Sequence, residues 1–119
     1  MGDELVEPLR EAPVRAVEAV DGSVVVRLAG ELDLYNAEEV RAALSQAVES
    51  SPRRVVVDMA DVEFVDSTAL GVLIEARSKL GRDGIALAAP QLDTRRTLQV
   101  SGLDRQLRVH DTVEEALAS

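Results

Sequence analysis

Arg54-Val55-Val56-Val57-Asp58-Met59 is a nearly unbroken apolar run, short enough for a strand and without the alternation of a half-wetted one. A strand of that kind is buried on both faces, which calls for parallel neighbours and helical crossovers laid on the sheet. This segment argues against an all-helical bundle and against an open antiparallel meander. Ile85 to Ala89, ended by Pro90, is a second run of the same type. Between them the apolar spacing changes to the helical period of about 3.6 residues.

The other elements follow in chain order. Val14 to Val20 predicts a strand, Asp21-Gly22 a tight turn, and Ser23 to Ala29 a returning strand, so the fold opens with a hairpin. Gly30 is expected to end that strand, with Glu31 to Tyr35 as an exit loop. Asn36 followed by Glu39 resembles a capping box, starting a helix that runs to about Val48 and stops at Ser50-Ser51-Pro52. Asp61 and Val62 are expected to turn the chain towards Phe64-Val65.

A second helix is predicted from about Ser67 to Leu80, with Gly81 as its terminator. Its first two turns are apolar nearly all round, so that end should be wedged between the sheet and another element. Asp93 or Thr94 can cap a third helix to Ser101, where Gly102 terminates it and Leu103 folds back on Leu98. Leu107 to His110 predicts a last strand, and Asp111 with Glu114 opens a helix through Ala118. The order β-β-α-β-α-β-α-β-α specifies an α/β fold: a mixed, mostly parallel sheet of about five strands with an N-terminal antiparallel hairpin, covered by about four helices. Residues 1–12 read as a flexible acidic tail and 13–119 as one domain.

Composition narrows the function. Aromatic residues make up 2% of the 119 residues, so the core is aliphatic and stacking platforms for bases are absent. The net charge of −9 disfavours nucleic acid and anionic membranes. From Glu31 to Asp66, nine acids stand against three arginines, a local net of −6, so a partner docking there should be neutral or basic. There is no cysteine for disulfides or thiolate metal sites. The N-terminal residues lack a basic segment followed by an apolar stretch and no apolar run reaches about 18 residues, so neither a secretory signal nor a membrane span is expected. Val6 stands where a myristoylation signal starting at Gly2 requires Ser or Thr. The expected location is the cytoplasm.

Chemistry concentrates at Asp66-Ser67-Thr68, where a strand pattern gives way to a helix pattern. First-turn N–H groups have no partner inside a helix, and the dipole there favours an anion. A phosphate added to Ser67 would meet a suitable site, which points to a switch rather than an enzyme. Serine is also an ordinary capping residue, and Thr68 is a second, weaker acceptor candidate. Asp58, Asp61, Glu63 and Asp66 are the one set of possible magnesium ligands, but carboxylates following a buried strand generally face solvent, and no metal is expected. His110 has no paired Ser or Cys nucleophile, and no glycine-rich phosphate loop is present, so neither catalysis nor a bound cofactor is expected. A receiver-like role for Asp58 as phosphoacceptor lacks both the acidic pair after the first strand and a suitably placed lysine. Tyr35 reads as a packing residue at a helix start, and as an interface residue if exposed.

Gly30-Glu31-Leu32-Asp33 and Val57-Asp58, with Asp61-Val62-Glu63-Phe64-Val65-Asp66-Ser67-Thr68-Ala69-Leu70-Gly71-Val72-Leu73, resemble the STAS domain. More narrowly, they resemble bacterial anti-sigma factor antagonists, over residues 13–118. The resemblance implies that Ser67 is phosphorylated by an anti-sigma factor that is itself an ATP-dependent serine/threonine kinase. The dephosphorylated antagonist binds that kinase and frees the sigma factor, and a phosphoserine phosphatase restores the active form. Asp33, Asp66, Ser67 and Thr68 would form the partner-facing patch, with Asp66 orienting a backbone N–H or meeting the kinase. Ala69 stands where the family commonly has glycine, and its methyl group is expected to limit close approach by a partner. STAS-like domains also occur in transporters and stress-sensing assemblies, so an unphosphorylated adaptor subunit is the alternative.

Overall fold

The computed structural model describes residues 11–119. Most of the expected tail lies outside the described residues; its last two, Glu11 and Ala12, precede the first strand as coil. The chain then forms β1 (Val14–Val20), β2 (Ser23–Leu32), α1 (Ala37–Glu49), β3 (Val55–Val65), α2 (Ser67–Leu80), β4 (Ile85–Ala88), α3 (Leu92–Ser101), β5 (Arg108–His110) and α4 (Val113–Ala118). Among the described residues the sheet has five strands in the order β1-β2-β3-β4-β5, antiparallel between β1 and β2 and parallel elsewhere. This is the predicted architecture. No described helix is long and apolar enough to cross a membrane.

The hairpin turn is the one that Asp-Gly favours. Asp21 and Gly22 both have positive φ, 50° and 83°, which matches the right-handed twist of the flanking strands. From β2 onwards each parallel connection moves one strand along the sheet in the same direction. Right-handed crossovers therefore put α1, α2 and α3 on a single face. Their core contains Val26, Leu28, Val57, Met59, Leu73 and Leu87, all essentially inaccessible. The alternate residues Val25, Val56, Ala86 and Ala88 face the other way, where the short α4 packs through Val113, Ala116 and Leu117. Small side chains on β4 let that helix sit close. Arg54 anchors its end by donating from Nη1 to the Ala116 carbonyl (2.8 Å) and to Ser119 Oγ (2.9 Å).

Several boundaries differ from the sequence reading. Gly30 does not end β2: it lies inside the strand with φ of 77°, at a register shift against β3. The backbone there demands glycine, and the strand bends instead of stopping. Asp61 and Val62 do not turn the chain, because β3 runs straight on to Val65, with Ala29 opposite Asp61 and Leu32 opposite Val65. Three caps also move. Asn36 precedes α1 but makes no side-chain cap. Neither Asp93 nor Thr94 caps α3, which starts at Leu92 behind Gln91. Thr112, not Asp111, caps α4, its Oγ1 accepting from the Glu115 N–H at 3.1 Å. Gly102 terminates α3 in the left-handed conformation as expected, and Leu103 packs against the core that contains Leu98.

The first turns of α2 are wedged between the sheet and α1, with Ala69, Leu70, Val72, Leu73 and Ala76 buried. At the rim, Arg41 Nε donates to Glu75 Oε1 at 2.9 Å and its guanidinium also contacts Glu38. The Arg41 hydrogen bond holds the Glu75 carboxyl below its ordinary pKa. A depressed folded-state pKa stabilises the fold above the ordinary glutamate range, and that contribution is lost as pH falls through the depressed value. In Arg41→Met, NMR titration should find Glu75 protonating at higher pH, near an ordinary glutamate. An unchanged titration would mean that Arg41 does not hold it.

Candidate functional site

The β2–β3 register builds the site. Leu32 and Val65 are paired, and the Asp66 N–H donates to the Leu32 carbonyl at 3.0 Å. Asp33 and Asp66 therefore leave the ends of two adjacent parallel strands side by side. Asp66 is the N-cap of α2: its Oδ1 accepts from the Ala69 N–H at 3.0 Å. Its other oxygen accepts from the Leu34 N–H at 3.1 Å. One carboxylate thus caps a helix and ties down the loop that follows β2.

That loop is braced from within. Asp33 Oδ1 accepts from the Tyr35 N–H (3.0 Å), and the Asp33 N–H donates to Asn36 Oδ1 (2.9 Å). Asn36 Nδ2 donates back to the Glu31 carbonyl at 2.8 Å. This explains the missing cap on α1, since the Asn36 amide is used to fold the loop instead. Sequence alone identifies Asn36 as a polar residue at a helix start, not which way its side chain turns.

With Asp66 holding the cap, Ser67 is the first residue of the helix proper. Ser67 and Thr68 are both exposed, and neither hydroxyl has a hydrogen-bond partner among the described residues. Leu34, Tyr35 and Phe64 are exposed on the loop and strand ends that border this helix start, at 63%, 83% and 53%. Tyr35 therefore does not pack against the helix start. Phe64 and Leu34 had no sequence signal of their own. Between the pairs Gly30–Val62 and Glu31–Phe64 the register slips by one residue, which turns Phe64 outward although Val62 two positions earlier is buried.

Ala69 is 2% exposed. Its methyl group points into the core, so it does not stand in the way of a partner approaching the helix start. Asp58 lies mid-strand, buried, with its carboxylate accepting from Arg27 Nε (3.3 Å) and the Ala60 N–H (3.1 Å). It is neither at a strand end nor free, which removes the receiver-like arrangement. Among the described residues no group of three or more acidic or histidine side chains is placed to hold a metal ion. Among the described residues the His110 ring makes one side-chain hydrogen bond, between Nε2 and Ser119 Oγ at 3.2 Å.

Comparison with known proteins assigns the family. The STAS domain family model matches residues 15–116. The anti-sigma-F factor antagonist RsfB of Mycobacterium tuberculosis is 32% identical over 98 residues, covering 82% of this chain and 80% of its own length. The crystal structure of an anti-sigma factor antagonist from Mycobacterium paratuberculosis superposes with TM-score 0.81 and 35% identity, over 87% of this chain and 89% of that one. SpoIIAA, an anti-sigma factor antagonist and Bacillus cell fate determinant, matches in its phosphorylated form with TM-score 0.65 and 30% identity, over 87% of this chain and 96% of its own. The family match and these relatives show that the chain belongs to the STAS domain family.

Proposed function

We propose that this protein is a cytoplasmic anti-sigma factor antagonist. Unphosphorylated, its STAS domain (residues 13–119) docks on an anti-sigma factor serine/threonine kinase and so releases the sigma factor. Phosphorylation of Ser67 by that kinase turns it off, and a phosphoserine phosphatase turns it on again. The observation that carries this reading is the division of labour at the start of α2: Asp66 takes the cap and leaves the Ser67 hydroxyl exposed, with no hydrogen-bond partner among the described residues. Asp33, Asp66, Ser67 and Thr68 are the docking residues, bordered by the exposed Leu34, Tyr35 and Phe64.

Phosphorylation at this position acts on the surface. Phosphoserine carries about −1.5 to −2 charges at neutral pH, and a helix N-terminus tolerates them. Ser67 is exposed, and Asp33 and Asp66 follow the ends of the two paired strands beside it. The added charge therefore points outward, into whatever accepts Ser67 in the kinase cleft. In this scheme the protein is the kinase's substrate and ligand, not a catalyst.

The test is intact mass after incubation with candidate anti-sigma factor kinases and Mg-ATP. Wild type should gain one phosphate, and Ser67→Ala none. Binding without phosphate transfer from any candidate would replace the switch by a constitutive adaptor. Neither binding nor phosphate would shift the assignment to a transporter or stress-sensing assembly.

A further inference from the structure

Charge is segregated along this fold. Residues 77–108 carry seven cations against Asp83, Asp93 and Asp104, a net of +4, so the rest of the −9 chain carries −13. These cations come from the last turn of α2, the turns at Arg82–Gly84 and Leu103–Arg105, α3 and the start of β5. Most described cations elsewhere are neutralised, as Arg15 by Glu11, Arg27 by Asp58 and Arg41 by Glu75. Arg82, Arg96 and Arg105 are different: all three are exposed, and among the described residues none has an ion pair or a side-chain hydrogen bond.

A groove of about 280 Å³ opens among these residues, with Arg82, Arg95, Arg108 and Asp104 on its walls over Leu98, Leu107 and Val109; Arg95 is paired with Asp111 and Arg108 with Asp83, and Arg82 is the free cation there among the described residues. The Nε of Arg108 is buried and has no acceptor among the described residues. Along the outside of α3, Leu92, Arg96 and Val100 recur every fourth residue and so share one stripe. Leu92 is 64% and Val100 89% exposed. The surface is thus basic and apolar on an otherwise acidic protein, with Arg82, Arg96 and Arg105 unpaired among the described residues.

We propose that the α3–β5 edge is a second docking surface, for an acidic segment of a partner protein that also carries apolar side chains. Its carboxylates meet Arg82, Arg96 and Arg105 and enter the groove beside Arg108, while its apolar residues cover Leu92 and Val100. An extended polyanion does not suit this edge. The patch is small and interrupted by Asp93 and Asp104, and a membrane or duplex would bring its own charge within a Debye length, about 8 Å, of the acidic remainder. The surface is also separate from Ser67. The 14 residues of α2 span roughly 20 Å between the phosphoacceptor and the turn that holds Arg82. The two sites can therefore be occupied together, and this inference does not rest on the Ser67 reading.

The test is fluorescence anisotropy with a labelled synthetic peptide of repeating Glu-Glu-Leu on the full chain. Wild type should bind it at low ionic strength and release it at high. The triple variant Arg82→Glu/Arg96→Glu/Arg105→Glu should bind at least about tenfold more weakly, with an unchanged thermal melt because all three side chains are exposed and unpaired. Val100→Ser should weaken binding too, and Ser67→Asp should leave it unchanged. Absence of peptide binding to wild type, equal binding by the triple variant, or tighter capture by phosphatidylglycerol vesicles than by the peptide would overturn the proposal.

Discussion

Ser67→Asp and Ser67→Glu are expected to bind the cognate anti-sigma factor kinase roughly 5–150-fold more weakly than wild type, a coupling of about 1–3 kcal/mol. Their thermal melts should match wild type within roughly 0.5 kcal/mol, as for exposed positions that hold nothing in place. Ser67 is such a position: the cap belongs to Asp66, and the Ser67 hydroxyl has no partner among the described residues. Ser67→Ala should bind like wild type and resist modification, while Thr68→Ala should still accept one phosphate at Ser67. Titration calorimetry beside a melt separates the two effects. Equal affinity across the Ser67 variants would leave the protein a docking module with no switch at this residue. A large loss of stability in Ser67→Asp would instead make the effect one of unfolding.

Asp66→Ala should show the opposite profile, with stability lost first. Removing a capping side chain costs about 0.5–2 kcal/mol. The same carboxylate also accepts from the Leu34 N–H at 3.1 Å, and losing that bond adds about 1 kcal/mol. A total of about 2 kcal/mol lowers the melting temperature of a domain this size by roughly 5–12 °C. Binding should fall as well, because the loop carrying Leu34 and Tyr35 loses its tie to α2. Charge alone argues otherwise, since a less acidic site should repel a phosphorylated or acidic neighbour less. Asp66→Asn keeps an acceptor oxygen for one of the two N–H groups and should lie between Ala and wild type. An unchanged melt in Asp66→Ala would show that the bridge between the two loops contributes nothing.

The parts of the fold legible in the sequence are those set by local patterning. Val55–Val57 and Ile85–Ala88 declare buried parallel strands by their unbroken apolar runs, and Asp21-Gly22 declares its turn by conformational preference. What escaped depends on long-range pairing. β2 beyond Gly30 and β3 beyond Met59 are strand only because each supplies the other's ladder, across a register shift with no local signature. Gly30 and Asp61 therefore read as a stop and a turn when they are an in-strand bend and an ordinary ladder residue. Caps failed for a related reason. Asn36, Asp93 and Asp111 are each capable acceptors, but loop geometry decides whether the side chain reaches the helix, and Asp111 pairs with Arg95 instead. At the site, the Asp66-Ser67-Thr68 motif was visible in the sequence. Asp66 rather than Ser67 as the cap, and the outward turn of Phe64 and Leu34, follow from the pairing of β2 with β3, which no local pattern encodes.

The switch is tested most directly with phosphate itself in place of its carboxylate mimics. Protein phosphorylated by the kinase and unphosphorylated protein should be titrated into that kinase, with amide NMR spectra recorded for both forms. The expected result is a 5–150-fold weaker association on phosphorylation, with amide shifts confined to residues around Asp33 to Asn36 and Phe64 to Val72. Equal affinity of the two forms would contradict a switch at Ser67, and shifts spread through β4 and α3 would contradict one that acts only on the docking surface.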